Sequence, residues 1–239
     1  MRVQLFNANG LVGKAEAVRR LALDQNVDVA ITVETWLRKN TAIPLRPHVA
    51  NITHDKPGTI TGGRRADGGI LVTATNPAYL HHIRLAGIGV HQYAVAMEVG
   101  DIVLIAAYLP PSLVDTALDE LLAFAESIIG DRQTRCVITG DLNARSEALF
   151  GDHTSNTRGR HLDTLLHNST FQPQVPVAGK WTSFNEHGYG IPDVVLANFE
   201  VQDLVVHEGE SCGGSNHRPL TFTIPDTPTP PKSVNRWNI

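Results

Sequence analysis

One pattern constrains this chain more than any other: short apolar, β-prone runs that stop on a polar residue. "VQLFN" (3–7) closes on Asn7, "VDVAITVE" (27–34) on Glu34, "DIVLIAAY" (101–108) on Tyr108 and "TRCVITGD" (134–141) on Asp141, with Asn143 shortly after. "IPDVVLAN" (191–198) carries Asp193 near its start, and His217 lies in "GGSNHRPL", just ahead of "LTFTI" (220–224). Apolar runs of this length bounded by turn formers read as buried strands. Strand ends that feed loops are where sites are commonly built. Taken singly, each polar residue has a plainer reading: the Asn and Asp as turn formers, His217 as a structural histidine. Glu34 is different. A carboxylate closing a buried-type strand is costly without a partner, and a metal cation would resolve it.

The intervening segments alternate between helix and turn. Leu11, Ala15, Val18 and Ala22 recur at helical spacing, which predicts a helix over 13–26. Leu118, Leu121, Leu122, Ala125 and Ile128 predict a second, capped by Gly130. "GGILVTA" (68–74) starts another strand, and Gly100-Asp101 between "YAVAMEV" (93–99) and 101–108 is a hairpin signal. The stretch 40–68 reads as irregular, and a short helix is expected near 160–168. Hairpins and helical crossovers together favour an α/β architecture of mixed sheets over a purely parallel one. The simplest organisation is a single domain over 1–225, followed by a Pro-rich linker, 226–239.

Composition narrows the function. At 239 residues and 42% hydrophobic content the chain can bury a sizeable core. The net charge of -4 lacks the basic balance common in nucleic-acid binders, so any nucleic-acid site must be a local patch. Cys136 and Cys212 imply neither a disulfide framework nor a Cys-based zinc site, and a reducing, intracellular context is expected. No apolar run approaches the length of a membrane span, and the N-terminus reads as a first strand rather than a signal peptide. As a set, the strand-end residues are chemically coherent. Carboxylates, an amide and water suit Mg²⁺. An Asp–His pair can hold an imidazolium beside a phosphate. The sum describes metal-assisted attack of water on a phosphate ester.

The pieces "LFNANGL", "VETW", "AAYLPPS", "TGDLNA", "WTSF", "IPDVVL" and "SNHRPL" occur in the order found in the endonuclease/exonuclease/phosphatase superfamily, which the chain resembles over nearly its whole length. "NANGL" running into a helix, "AAYLPPS" and "SNTRGRHLDTLL" (155–166) make it most similar to the apurinic-type endonuclease domains of non-LTR (LINE-type) retrotransposons. The resemblance implies a four-layer sandwich of two packed mixed β-sheets flanked by helices. It implies a Mg²⁺-dependent (or Mn²⁺-dependent) nuclease that nicks double-stranded DNA in the nucleus, leaving a 3′-hydroxyl that primes reverse transcription. The element RNA and a downstream reverse transcriptase would be its partners, and "KSVNRWNI" (232–239) resembles the start of the linker toward the latter. Position by position, it implies that Glu34 binds the metal, with Asn7 as ligand or support. Asp141 would act on the attacking water or the leaving group, and Asn143 would orient water or phosphate. Tyr108 would contact the scissile phosphate, Asp193 and His217 would form a dyad, and Thr182 would line the groove.

At one position the chain departs from the pattern: Asn216 stands where the family usually has Asp. The amide is a poorer Mg²⁺ ligand and cannot act as a base. An inactivating change and a tolerated natural variant are both open at this point. Abasic-site repair, phosphatase activity and a catalytically dead DNA-binding module are the competing functions. Among the remaining polar residues, Arg145, Arg158 and Arg160 flank the catalytic motifs and are candidates for the DNA backbone. Arg64 and Arg65, in "TGGRRADGG", are a phosphate loop or a solvated turn. Arg218 reads as a phosphate contact or a structural ion-pair partner. Asn185, His187 and Tyr189, in a hairpin or loop over 182–192, are candidates for target choice.

Overall fold

The computed structural model describes residues 1–39, 42, 45, 47–53, 68–130, 134–186, 188–208 and 213–225. The elements follow in chain order as β1 (Arg2–Asn7), α1 (Ala15–Asp24), β2 (Val29–Val33), β3 (His48–Ile52), β4 (Ile70–Ala74), β5 (Ile83–Gly89), β6 (Ala94–Val99), β7 (Ile102–Tyr108), α2 (Ala117–Ile129), β8 (Arg135–Asp141), α3 (Glu147–Phe150), α4 (Thr157–Leu166), β9 (Gln172–Pro173), β10 (Ser183–Asn185), β11 (Gly188–Gly190), β12 (Asp193–Ala197), β13 (Gln202–Val206) and β14 (Leu220–Thr223).

The strands form two six-stranded sheets, ordered β13-β14-β1-β2-β4-β3 and β5-β6-β7-β8-β12-β9, with β10-β11 as a separate hairpin. Both sheets are mixed: β1–β2 and β7–β8 are parallel, while their other neighbours are antiparallel. Side chains alternate across a strand, so each sheet has two faces to cover. Val3 and Leu5 of β1 and Ile31 of β2 point inward and pack with Met97, Leu104 and Val195 of the second sheet. Phe6 and Leu71 point outward and meet Val18 of α1. On the far side, Ala107 and Ile138 meet Leu118, Leu121 and Leu162 of α2 and α4. These are the four layers that the motifs implied. Both faces of the central strands are covered, which is why they read as near-continuous apolar runs.

Four strands, β3, β5, β13 and the two-residue β9, fall where no strand was expected. β3 lies inside the stretch read as irregular, and β5 and β13 carried no strand signal. Cys136 is buried as expected. Cys212, Arg64, Arg65, His187 and the segment 226–239 lie outside the described residues. No described helix is long and apolar enough to cross a membrane.

Candidate active site

Strand register builds the site. β12 lies antiparallel to β8 with Asp193 directly opposite Asp141, and Tyr108 of the parallel β7 flanks Asp141 on the other side. Gly140 makes this possible, since a Cβ there would run into the Ala107 carbonyl of β7. In the other sheet Asn7 is level with Val33, the residue before Glu34. The two sheets meet at this edge: Asn7 Nδ2 donates to Asp141 Oδ2 at 2.8 Å. Asn7 Oδ1 accepts the Asn9 N–H at 2.9 Å, and Asn7 is fully buried. Of the two roles expected for Asn7, support is the one its hydrogen bonds fill.

Two buried carboxylates directly across a sheet repel each other. Asp141 and Asp193 are 1% and 3% exposed, and burial followed by the Asp193 charge pushes the Asp141 carboxyl well above the usual carboxylate range. His217 answers part of that charge, with Nδ1 2.7 Å from Asp193 Oδ2. Burial opposes its cation. The charge and hydrogen bond of Asp193, backed by Asp141 and Glu34, outweigh it and raise His217 to about 9. The imidazole is held in place through its backbone: its N–H donates to Ser215 Oγ, which in turn donates to the Asn7 carbonyl.

One oxygen is left over. Asp193 Oδ1 is buried without a hydrogen-bond partner among the described residues. Such an atom is expensive unless something binds it. Asp141, Asp193 and His217 bring ligand atoms within 4.8 Å of one another, a group that could hold a metal ion. Their buried carboxylate oxygens suit a hard divalent cation, so the residues fit the group that the motifs implied. Glu34 stands outside that trio but beside it. Its charge acts on His217, Lys14 and Tyr108, and the Tyr108 hydroxyl bonds to it.

The model described as "Endonuclease-reverse transcriptase" matches residues 102–221, which run from β7 through the Asp141 and Asp193 strands to His217. The chain belongs to the endonuclease-reverse transcriptase family. It is 26% identical over 180 residues to the RNA-directed DNA polymerase from mobile element jockey of Drosophila melanogaster, covering 72% of this chain and 18% of that protein. The chain thus spans less than a fifth of that relative. Among solved structures, the endonuclease domain of TRAS1, a telomere-specific non-LTR retrotransposon, matches with a TM-score of 0.63 and 17% identity over 92% of this chain and 96% of that one. The 3′-5′ exonuclease NExo from Neisseria meningitidis matches with a TM-score of 0.67 and 15% identity over 94% and 99%. At these identities the two structures speak to the fold alone.

Within this endonuclease-reverse transcriptase domain, several residues do something other than what the motifs implied. Tyr108 is buried at 6% exposure with its hydroxyl on Glu34, and burial and Glu34 push that hydroxyl far above the usual phenol range. It stands beside Glu34. Thr182 is 1% exposed and does not line a groove; its Oγ1 accepts the Asp193 N–H at 3.2 Å from behind. Asn143 adopts a left-handed φ of 50°, which lets its N–H reach back to Asp141 Oδ1 at 2.9 Å while Nδ2 donates to the Leu109 carbonyl. Arg158 cannot track a DNA backbone: it is buried, and its guanidinium donates to the carbonyls of Leu109, Leu142, Pro110 and Leu113. Arg160 bonds to the Ser155 carbonyl and Thr157. Arg218 pairs with Glu208 at 2.7 Å, the structural reading of that residue.

Arg145 binds Asp152 through Nε and Nη2 and reaches the Tyr189 carbonyl, so it anchors the β10–β11 hairpin. Tyr189 is half-exposed and stacks on Trp181, over which Lys180 Nζ lies at 4.3 Å. Asn185 is in β10 of the same hairpin. Asn216 offers Oδ1 to Asn9 Nδ2 at 2.8 Å. Lys14 and Asp152 carried no signal of their own, while Asn9, Trp181 and Ser215 lay inside "LFNANGL", "WTSF" and "SNHRPL" with no role given to them.

Proposed function

We propose that this domain is a Mg²⁺-dependent DNA endonuclease that nicks one strand of double-stranded DNA and leaves 3′-hydroxyl and 5′-phosphate ends. The observation that carries the reading is the buried pair Asp141–Asp193, one oxygen unpaired, closed on the other side by the His217 cation. Asp141 and Asp193, with Glu34 beside them, would hold a divalent ion, Mg²⁺ or Mn²⁺ in its place, which would supply positive charge for the scissile phosphate. Asp141, raised by burial and by Asp193, takes the proton of the attacking water. Asn7 fixes the oxygen it bonds, so that the other faces the substrate with the Asn143 N–H behind it. His217, its Nδ1 committed to Asp193, presents Nε2–H to a phosphate oxygen and stabilises the charge that builds there. Asn216 is a tolerated variant in this reading, because its Oδ1 still accepts from Asn9 Nδ2 as a carboxylate oxygen would.

The 3′-hydroxyl product would prime reverse transcription of an element RNA by a reverse transcriptase in the same polyprotein, acting on chromosomal DNA in the nucleus. The support for this is the likeness to the jockey polymerase. Target choice falls to the hairpin carrying Asn185 and Tyr189, with Arg145 as its anchor, and His187, between them in sequence, is a further candidate. A supercoiled-plasmid assay tests the activity. The chain and Asn216→Asp both convert plasmid to the open circle with Mg²⁺ and not with EDTA, and Asp141→Asn loses at least about a hundredfold. If neither the chain nor Asn216→Asp nicks, the endonuclease reading is wrong. An oligonucleotide duplex with and without one abasic site separates this function from repair: cleavage only of the abasic duplex would assign it to repair.

A further inference from the structure

Lys14 stands where a cation is electrostatically misplaced. It is the N-cap residue of α1 and makes no side-chain cap, and the N-terminus of a helix favours negative charge. Its ammonium turns away from the helix and donates to the carbonyls of Ala8 and Asn9 at 2.5 and 2.8 Å. Those two residues belong to the turn that follows β1. Asn9 holds a left-handed φ of 44° there, and its side chain spans to Asn216. The same turn is zipped to the end of β2 by Ala8 N–H to the Val33 carbonyl and Gly10 N–H to the Glu34 carbonyl, at 3.0 and 2.8 Å. Gly213, at the start of the His217 loop, lies so close that a Cβ added to it would run into Ala17 and touch the Lys14 side chain. Lys14 is therefore a junction for the segments that bear Asn7 and Glu34 and stands close to the start of the one that bears His217, and the Glu34 charge acts on its ammonium.

We infer that Lys14 is a positioning residue of the endonuclease site: it staples the Ala8–Asn9 turn beneath the Asn9–Asn216 bridge, and its fixed charge beside Glu34 keeps divalent-cation binding weak enough to be readily reversible. The inference rests on the metal reading of Glu34 and Asp141 above. It carries a two-signed consequence that a purely structural lysine would not. Loss of the charge tightens the cation while loss of the staple slows the reaction. A residue that merely holds the fold together would, when removed, loosen both.

The test is Mn²⁺ binding to the DNA-free protein, followed by the EPR signal of free Mn²⁺, alongside plasmid nicking. Lys14→Met is expected to bind Mn²⁺ more tightly, on the order of fivefold, and to nick at least about tenfold more slowly. Lys14→Arg keeps the charge and should hold Mn²⁺ as the parent does. Lys14→Gln is the second neutral variant, should Lys14→Met not fold, because its amide can still bond one carbonyl; thermal melts verify the fold of each. Glu34→Gln separates the layers. If it weakens Mn²⁺ while neutral Lys14 variants leave affinity unchanged or lower, the role given to Lys14 is overturned and the metal reading stands. If Glu34→Gln leaves Mn²⁺ binding untouched, the metal assignment fails and this inference falls with it.

Discussion

Asp152 accepts from Nε and Nη2 of Arg145 and from the backbone N–H groups of His153, Thr154 and Ile191, with no side-chain exposure. One carboxylate thereby joins the loop after Asn143 to the foot of the β10–β11 hairpin. Burial works to raise its pKa, but the Arg145 hydrogen bond and charge and the backbone donors outweigh it and hold the carboxyl below the usual range. Because the folded-state value is the lower one, the contribution to stability is fully present above the unfolded carboxylate value of roughly 4 and disappears as pH falls through the folded value. Asp152→Asn is expected to melt below the parent at neutral pH, with the gap narrowing as the pH is taken below about 4. Thermal unfolding across that range checks it. A gap that stays constant down to acid pH would show that the Asp152 charge is not what stabilises the loop. Arg145 shows why such a pair is hard to see in a sequence. An exposed-looking arginine after a catalytic motif reads as a phosphate contact, and nothing local indicates the carboxylate it already holds.

At the level of elements, the site depends on how closely β7 and β8 approach. Gly140→Ala would place a methyl group against the Ala107 carbonyl, backbone that cannot move without shifting β7. The expected cost is about 1–3 kcal/mol from overpacking, together with displacement of Asp141. Chemical denaturation should show the stability loss, and nicking should fall more than the fraction unfolded explains; an unchanged midpoint would mean that the strands part without cost. The central strands β1, β2, β7, β8 and β12 were legible because both of their faces are buried, so nearly every interior position is apolar, Gln4, Thr32 and Thr139 being the exceptions. β5 and β13 were not. Half or more of their residues are exposed or partly so, and β5 carries Gly87 and Gly89 where Phe124 packs. An edge strand of that kind lacks both the apolar run and the clean alternation that mark a strand. The site divides the same way. Asp141, Asp193 and His217 stood out because a polar residue closing or opening a buried strand is conspicuous. Lys14 and Ser215 act through backbone carbonyls and Asn9 through the side-chain amide of Asn216, and no spacing rule reports that.

Across the whole molecule the net charge is -4, unusual for a protein proposed to grip DNA. Arg158 is spent on buried carbonyls, Arg145 on Asp152 and Arg218 on Glu208, so three basic residues near the motifs already hold protein partners. In the proposed function the groups left for the substrate are the His217 cation, the Lys180–Trp181–Tyr189 surface of the hairpin and the divalent ion that the carboxylates would hold. An enzyme built this way should gain little affinity from counterion release and should owe its binding to local contacts. The slope of log affinity against log salt is about 0.9 per phosphate neutralised. With about two or three phosphates contacted, it should lie between roughly −2 and −3. Fluorescence anisotropy of a labelled duplex with the Asp141→Asn variant, in Ca²⁺ and across a fourfold range of salt, measures it. Affinity should fall by roughly 10- to 60-fold over that range. A slope steeper than about −6 would place a larger basic surface on the DNA. The segment holding Arg64 and Arg65 would then be the first place to look, and their paired substitution by Ala should bring the slope back by about two.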